Sequence, residues 1–178
     1  MHPSNEIDIA IIQHALNNDE SACQKILNLY KGRIFSYVYR IVRNYHDAED
    51  LTSETFIKCF KALASFDQKK SFSTWLFTIA HNLVIDFLRK NKHEYEYLDE
   101  RHSVNDDFVQ VYEKKKKFEM IEKALSQLPH LDQEIIILFH KEEYSYEEIS
   151  EVLNLPVSTI KTRLHRARIK LSQLVHLK

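Results

Sequence analysis

The chain has 178 residues, 44% of them hydrophobic and 29% charged, with 25 basic against 26 acidic side chains and a formal net charge of −1. That composition describes a foldable chain of one or two small domains and excludes a disordered tail. A single glycine, Gly32, and three prolines, Pro3, Pro129 and Pro156, argue against β-hairpins, Rossmann turns and phosphate-cradling loops, so an all-α fold is expected.

The first residues, MHPSNEIDIAIIQ, lack a basic region before an apolar one. The longest apolar runs, such as Ile135 to Phe139, are too short to span a membrane, so a cytoplasmic protein with no membrane insertion of its own is expected. Helical spacing begins with Ile7, Ile11, Ile12 and Ala15 and continues through Ala22, Ile26, Leu29, Ile34, Tyr37, Val38 and Ile41, which makes two helices before residue 45. Cys23 and Cys59 match no metal spacing and fall among apolar residues, as buried reduced thiols do.

A third helix follows from Tyr45, with Phe56, Cys59, Phe60 and Leu63 at i, i+3, i+4 and i+7 as its core stripe. Opposite that stripe Asp47, Asp50 and Glu54 share a face. The periodicity leaves open whether it meets a basic partner or is an ordinary solvated face whose first-turn acids suit the helix dipole. After DQKKS a fourth helix puts Phe72, Leu76, Ala80, Leu83 and Phe87 on its core side. Beside them run Trp75, Thr78, Asn82 and Arg89, and the preceding loop carries Lys69, Lys70 and Ser71. Cations interleaved with aromatics suit single-stranded nucleic acid, although Trp75 taken singly reads more readily as core.

From about Asn91 to Asp107 apolar residues are sparse and charges mixed, as in a solvated linker. The expected domains are therefore 1–91 and 114–178, joined by a flexible linker over 92–113. The second domain holds four helical patterns, with Pro129 and Pro156 marking connections. Tyr146, Ile149, Val152 and Leu153 give the third of them an apolar face, and Ile160, Leu164, Ala167 and Leu171 do so for the fourth. Between them Asn154 suits a left-handed cap and Pro156 the start of a helix, so the turn is tight. This is a helix-turn-helix. Its second helix presents Lys161, Thr162, His165, Arg166 and Arg168 away from Ile160 and Leu164, and from Lys161 onward the chain has no acid, which suits phosphates and guanine edges. A basic surface helix closing a bundle would explain the charge but neither the acidic helix before it nor the short turn.

Three stretches in order resemble one family, the small extracytoplasmic-function (ECF) sigma factors of bacterial RNA polymerase. DAEDLTSETFIKCFKAL resembles region 2.2, FDQKKSFSTWLFTIAHNLVIDFLRK resembles regions 2.3 and 2.4, and YSYEEISEVLNLPVSTIKTRLHRARIKL resembles region 4.2. The resemblance implies a region 2-like helical bundle and a region 4-like helix-turn-helix domain that give the polymerase its promoter specificity, the first melting and reading the −10 element and the second reading the −35 element. It implies that Asp47, Asp50 and Glu54 meet the coiled coil of the β′ subunit, with the β flap as a further contact on core RNA polymerase and an anti-sigma factor as a further partner. It assigns Lys69, Lys70, Ser71, Trp75, Thr78, Asn82 and Arg89 to the −10 strand, and Ser158, Thr159, Lys161, Thr162, His165, Arg166 and Arg168 to the −35 groove. Glu143, Asn154 and Ser158 stand where the family often has glycine, and His81 where it often has arginine.

Two other classes share parts of the pattern. A stand-alone transcriptional regulator has the helix-turn-helix but no use for the −10-like segment or the acidic face. A metal phosphohydrolase would use the adjacent His46 and Asp47, but no second His/Asp or HExxH-like spacing accompanies them; His14, His130, His140 and His176 read as surface or packing residues. No catalytic residue, metal or cofactor is expected.

Overall fold

The computed structural model describes residues 7–91 and 120–176. The described residues up to Asn91 belong to one compact unit and most of those from 120 onward to a second, and the expected linker and the first residues of the expected second domain lie outside the described residues. Every regular element among the described residues is helical. This agrees with the all-α reading.

In the first unit, α1 (Ile9–Leu16) starts where Asp8 accepts the Ala10 N–H at 2.9 Å. α2 (Glu20–Val42) starts at Asp19, whose carboxylate accepts from Ser21 and Ala22; those hydrogen bonds hold its pKa below the usual value. α3 (Tyr45–Ala62) is capped by Asn44, which accepts from His46 and Asp47. A 3₁₀ turn (Leu63–Ser65) leads to the loop before α4 (Phe72–Lys90), where Ser71 accepts the Thr74 N–H at 3.1 Å. Each cap satisfies N–H groups that the first helical turn leaves without an internal partner.

α2 is the central element. Its positions Ile26, Tyr30, Ile34, Tyr37, Val38 and Ile41 recur at helical spacing and are almost completely buried against α3 and α4. Tyr30 meets Phe72 at a ring-centroid distance of 5.5 Å, and Tyr37 meets Phe77 edge-on at 5.4 Å. The Arg33 guanidinium lies over both Tyr30 and Phe77, while its tip donates to the Ser73 hydroxyl. Cys59 is buried and Cys23 half-buried, both as free thiols, and burial pushes the Cys59 thiol up to about 12.

The second unit contains α5 (120–126), α6 (His130–His140), α7 (Tyr146–Leu153) and α8 (Val157–His176). Pro129 stands before α6, and the buried Gln133 amide donates to the Leu128 carbonyl at 2.7 Å across that connection. α7 opens with a reciprocal cap: the Ser145 hydroxyl accepts the Glu148 N–H, and the Glu148 carboxylate accepts the Ser145 N–H at 2.8 Å. Ile149, Val152 and Leu153 of α7 and Ile160, Leu164 and Ala167 of α8 are all buried, and α8 packs against α6.

Candidate nucleic-acid interface

Three residues, Asn154 to Pro156, separate α7 from α8. Asn154 takes the left-handed conformation at φ 51°, which a side chain able to bond its own backbone tolerates better than most. The Leu155 N–H returns to the Ser150 carbonyl at 3.1 Å, and the Ser150 hydroxyl donates to the Leu155 carbonyl. Glu143, another position where the resembled family often has glycine, is also left-handed at φ 58°. The turn geometry thus forms without glycine.

The sides of α8 have different surroundings. Ser158, Thr162, His165 and Arg166 are exposed on the side away from Ile160 and Leu164. Lys161 is exposed, yet its ammonium lies 5.2 Å from the Tyr146 ring centre. Arg168 turns further toward the bundle: its guanidinium stacks 4.7 Å over Phe139, and its Nε–H donates to His140 at 3.1 Å. Burial first, and then the Arg168 charge, hold His140 below the usual imidazole range, consistent with a neutral acceptor. Lys161 and Arg168 therefore form an aromatic-backed flank rather than part of the outermost stripe. Thr159 is half-buried on the other side, in a groove that also receives Asp132, Ser158, Thr162, Arg163 and Arg166. Arg163 and Ile169, the latter 48% exposed, are among the groups on this helix to which sequence reasoning gave no role. The exposure of Ile169 is visible in its helical register alone; the placement of Arg163 is not.

The −10-like residues do not converge on one pocket. Lys69 and Lys70 are exposed on the loop, and Ser71 serves as the α4 cap. Trp75 is half-buried, packed on Phe66 at 5.1 Å and Phe72 at 5.6 Å, so its ring walls the base of the loop. Thr78 donates its hydroxyl to the Thr74 carbonyl within the helix. Asn82 lies about 10 Å along α4 from Trp75 at the usual rise per residue. It is exposed in a groove shared with Lys58, Lys61, Ala62 and Ile79. Those two lysines belong to α3 and were not assigned from sequence; only the packing of α3 on α4 brings them to Asn82. Arg89 pairs with Asp86 at 3.4 Å on the exposed surface. His81 is buried on the inner side of α4.

On α3, Asp50 is exposed, Glu54 pairs with Lys58 at 3.3 Å and is half exposed, and Asp47 is partly covered in the first turn. Ile57 stands on the same outer surface at 54% exposure, and Tyr45 at 56%. The hydrogen bond and then the charge of Glu49 raise the Tyr45 phenol above its usual pKa. Among the described residues no three His, Cys, Asp or Glu side chains converge as a metal site, and no helix is long and apolar enough to cross a membrane.

Comparison with known proteins matches both units to family models: Sigma-70 region 2 over residues 26–94 and Sigma-70, region 4 over residues 118–171. The chain is 36% identical over 170 residues to the ECF RNA polymerase sigma factor SigW of Bacillus subtilis (strain 168), covering 88% of this chain and 90% of that protein. It is 34% identical over 149 residues to the RNA polymerase sigma factor YlaC of the same organism, covering 81% and 86%. Among solved structures it is similar to the sigma factor RpoE in complex with the anti-sigma factor NepR from Bartonella quintana, with TM-score 0.69, 25% identity and coverage of 87% and 97%. The fold is also that of CnrH in complex with the cytosolic domain of CnrY, with TM-score 0.73 and coverage of 96% and 98% at 23% identity.

Proposed function

The chain belongs to the ECF group of RNA polymerase sigma factors, and we propose that it divides promoter recognition between its two units as the arrangement of charge on them suggests. The observation that carries this is the outer stripe of α8. Ser158, Thr162, His165 and Arg166 are exposed on α8 behind a three-residue turn, on a segment with no acid from Lys161 onward. An α-helix with that stripe fits the major groove, where hydroxyl, imidazole and guanidinium groups can meet base edges. These residues read the −35 element; Lys161 and Arg168 support them from the flank.

The first unit takes the −10 strand and core polymerase. Lys69 and Lys70 on the loop walled by Trp75, and Asn82 further along α4, supply cations and an amide suited to a backbone and an unstacked base. Asp47, Asp50 and Glu54 give α3 an acidic side that suits the β′ coiled coil, and the second unit meets the β flap. An anti-sigma factor is a further partner, since the RpoE neighbour is held by one. The site of action is the cytoplasm. As a promoter-recognition subunit the chain is not an enzyme.

In vitro transcription with core RNA polymerase on a pool of promoter fragments tests this directly, because transcripts enriched with the full chain define the promoter. Arg166→Ala in that assay is expected to cost about 1–3 kcal/mol and to relax preference at one −35 position, the signature of a base contact. Uniform weakening across sequences would make Arg166 a phosphate contact, and no change would remove it from the DNA.

A further inference from the structure

Resting on the −35 reading of α8, we infer that Arg163, held in direction by Asp132, contacts a backbone phosphate on one wall of the major groove. The inference starts from helix geometry. Residues advance about 100° round a helix, so Lys161 and Arg163 flank Thr162 on opposite sides. A helix about 10–12 Å across nearly fills a groove of roughly 12 Å, which leaves the outer stripe at the base edges and the flanks at the phosphate walls. Lys161, backed by Tyr146, occupies one flank, and Arg163 occupies the other.

The surroundings of Arg163 suit an anion. It lines an open groove with Ser158, Thr159, Thr162 and Arg166, a set of hydroxyls and guanidinium groups whose one acid is Asp132. Two arginines against one carboxylate leave the groove positive. Asp132 on α6 accepts from Arg163 Nη1 at 2.8 Å, and of the two side chains the carboxylate is the more covered, 16% exposed against 40%. A guanidinium carries five donors in a rigid fork, so one contact on the covered side orients the rest toward the groove. Asp132 is thus a positioning residue. It lies 31 residues away in sequence and on another helix, which ties the phosphate contact to the docking of α6 on α8.

The test is promoter affinity of the holoenzyme, full chain with core RNA polymerase, measured across a salt series. Each phosphate neutralised contributes about 0.9 to the slope of log affinity against log salt. Arg163→Ala is expected to lower that slope by about 0.9 and to weaken all −35 sequences alike, about tenfold at physiological salt. Arg163→Lys, which keeps the charge, is expected to retain the slope. Asp132→Asn is expected to weaken binding only while Arg163 is present, with no further effect in the Arg163→Ala background. A slope unchanged in Arg163→Ala, whether accompanied by lost thermal stability or by altered preference at one base, would overturn the phosphate contact. Equal effects of Asp132→Asn in both backgrounds would overturn the positioning role. If Arg166→Ala still alters −35 preference in either case, the −35 reading itself survives; wild-type holoenzyme indifferent to the −35 sequence would overturn both.

Discussion

Reversing Asp50 and Glu54 together to lysine is expected to weaken assembly with core RNA polymerase by about a hundredfold while leaving the chain folded. Both side chains are exposed. The Glu54–Lys58 pair that the change removes is half solvated on each side, and such surface pairs contribute about 0–1 kcal/mol. A lysine at position 54 would face Lys58 one turn on, a like-charge pair costing only a few tenths of a kcal/mol. Against a basic partner, in contrast, like-charge juxtaposition costs several kcal/mol, and about 2.7 kcal/mol is a hundredfold. Asp47 is left intact in this variant because it is partly covered in the first turn of α3, where a carboxylate also suits the helix dipole. Titration of labelled chain into core polymerase, alongside a thermal melt, reads both quantities; undiminished assembly would take the acidic face out of the polymerase contact.

Phe77→Ala is expected to lose the same activity by the opposite route. Phe77 is fully buried, meets Tyr37 edge-on, and forms part of the apolar bed under the Arg33 guanidinium. Truncation removes that ring contact and leaves a cavity at the junction of α2 and α4, a change that typically costs about 3–5 kcal/mol. That is a large share of the roughly 5–15 kcal/mol that holds a domain folded. Urea unfolding should show the loss as a lowered midpoint for the first unit, and promoter activity should fall with the folded fraction. A midpoint close to wild type would show that neighbouring side chains fill the space. The contrast between the two variants separates contact from packing: one loses assembly with its fold intact, the other loses its fold.

Much of this was legible in the sequence because helices announce themselves by period. The stripe from Ile26 to Ile41, the Phe56/Cys59/Phe60/Leu63 stripe and the apolar faces of α7 and α8 all follow from spacing, and the structure buries most of them, with Leu29 left exposed and Phe60, Tyr146 and Leu171 half-buried at the edges of their stripes. Asn154 and Pro156 likewise announce the turn through backbone chemistry. The resemblance carried by three motifs holds across both matched regions. What spacing does not reveal is which flank of a helix its neighbour covers. Lys161, Arg166 and Arg168 look alike on a wheel, yet Tyr146 draws Lys161 and Phe139 draws Arg168 toward the bundle, leaving Arg166 in the open. Asn82 and Trp75 share a stripe on α4 but are about 10 Å apart along its axis, and the lysines beside Asn82 come from a different helix. The Asp132–Arg163 pair is invisible for the same reason, since tertiary docking across 31 residues creates it.

The division of labour between the two units has a consequence for the chain alone. At net charge −1, with the acidic side of α3 uncovered, the free protein presents duplex DNA with repulsion as well as attraction. Core polymerase would cover the acids and hold both surfaces against one promoter, adding effective concentration to two weak contacts. The most direct measurement is therefore promoter-duplex affinity at physiological salt, with and without core RNA polymerase, on matched and scrambled −35 sequences. Specific affinity is expected to rise at least tenfold, about 1.4 kcal/mol or more, when core is present. Equally tight, sequence-specific binding by the isolated 178-residue chain would contradict the polymerase-dependent reading and point to a stand-alone regulator.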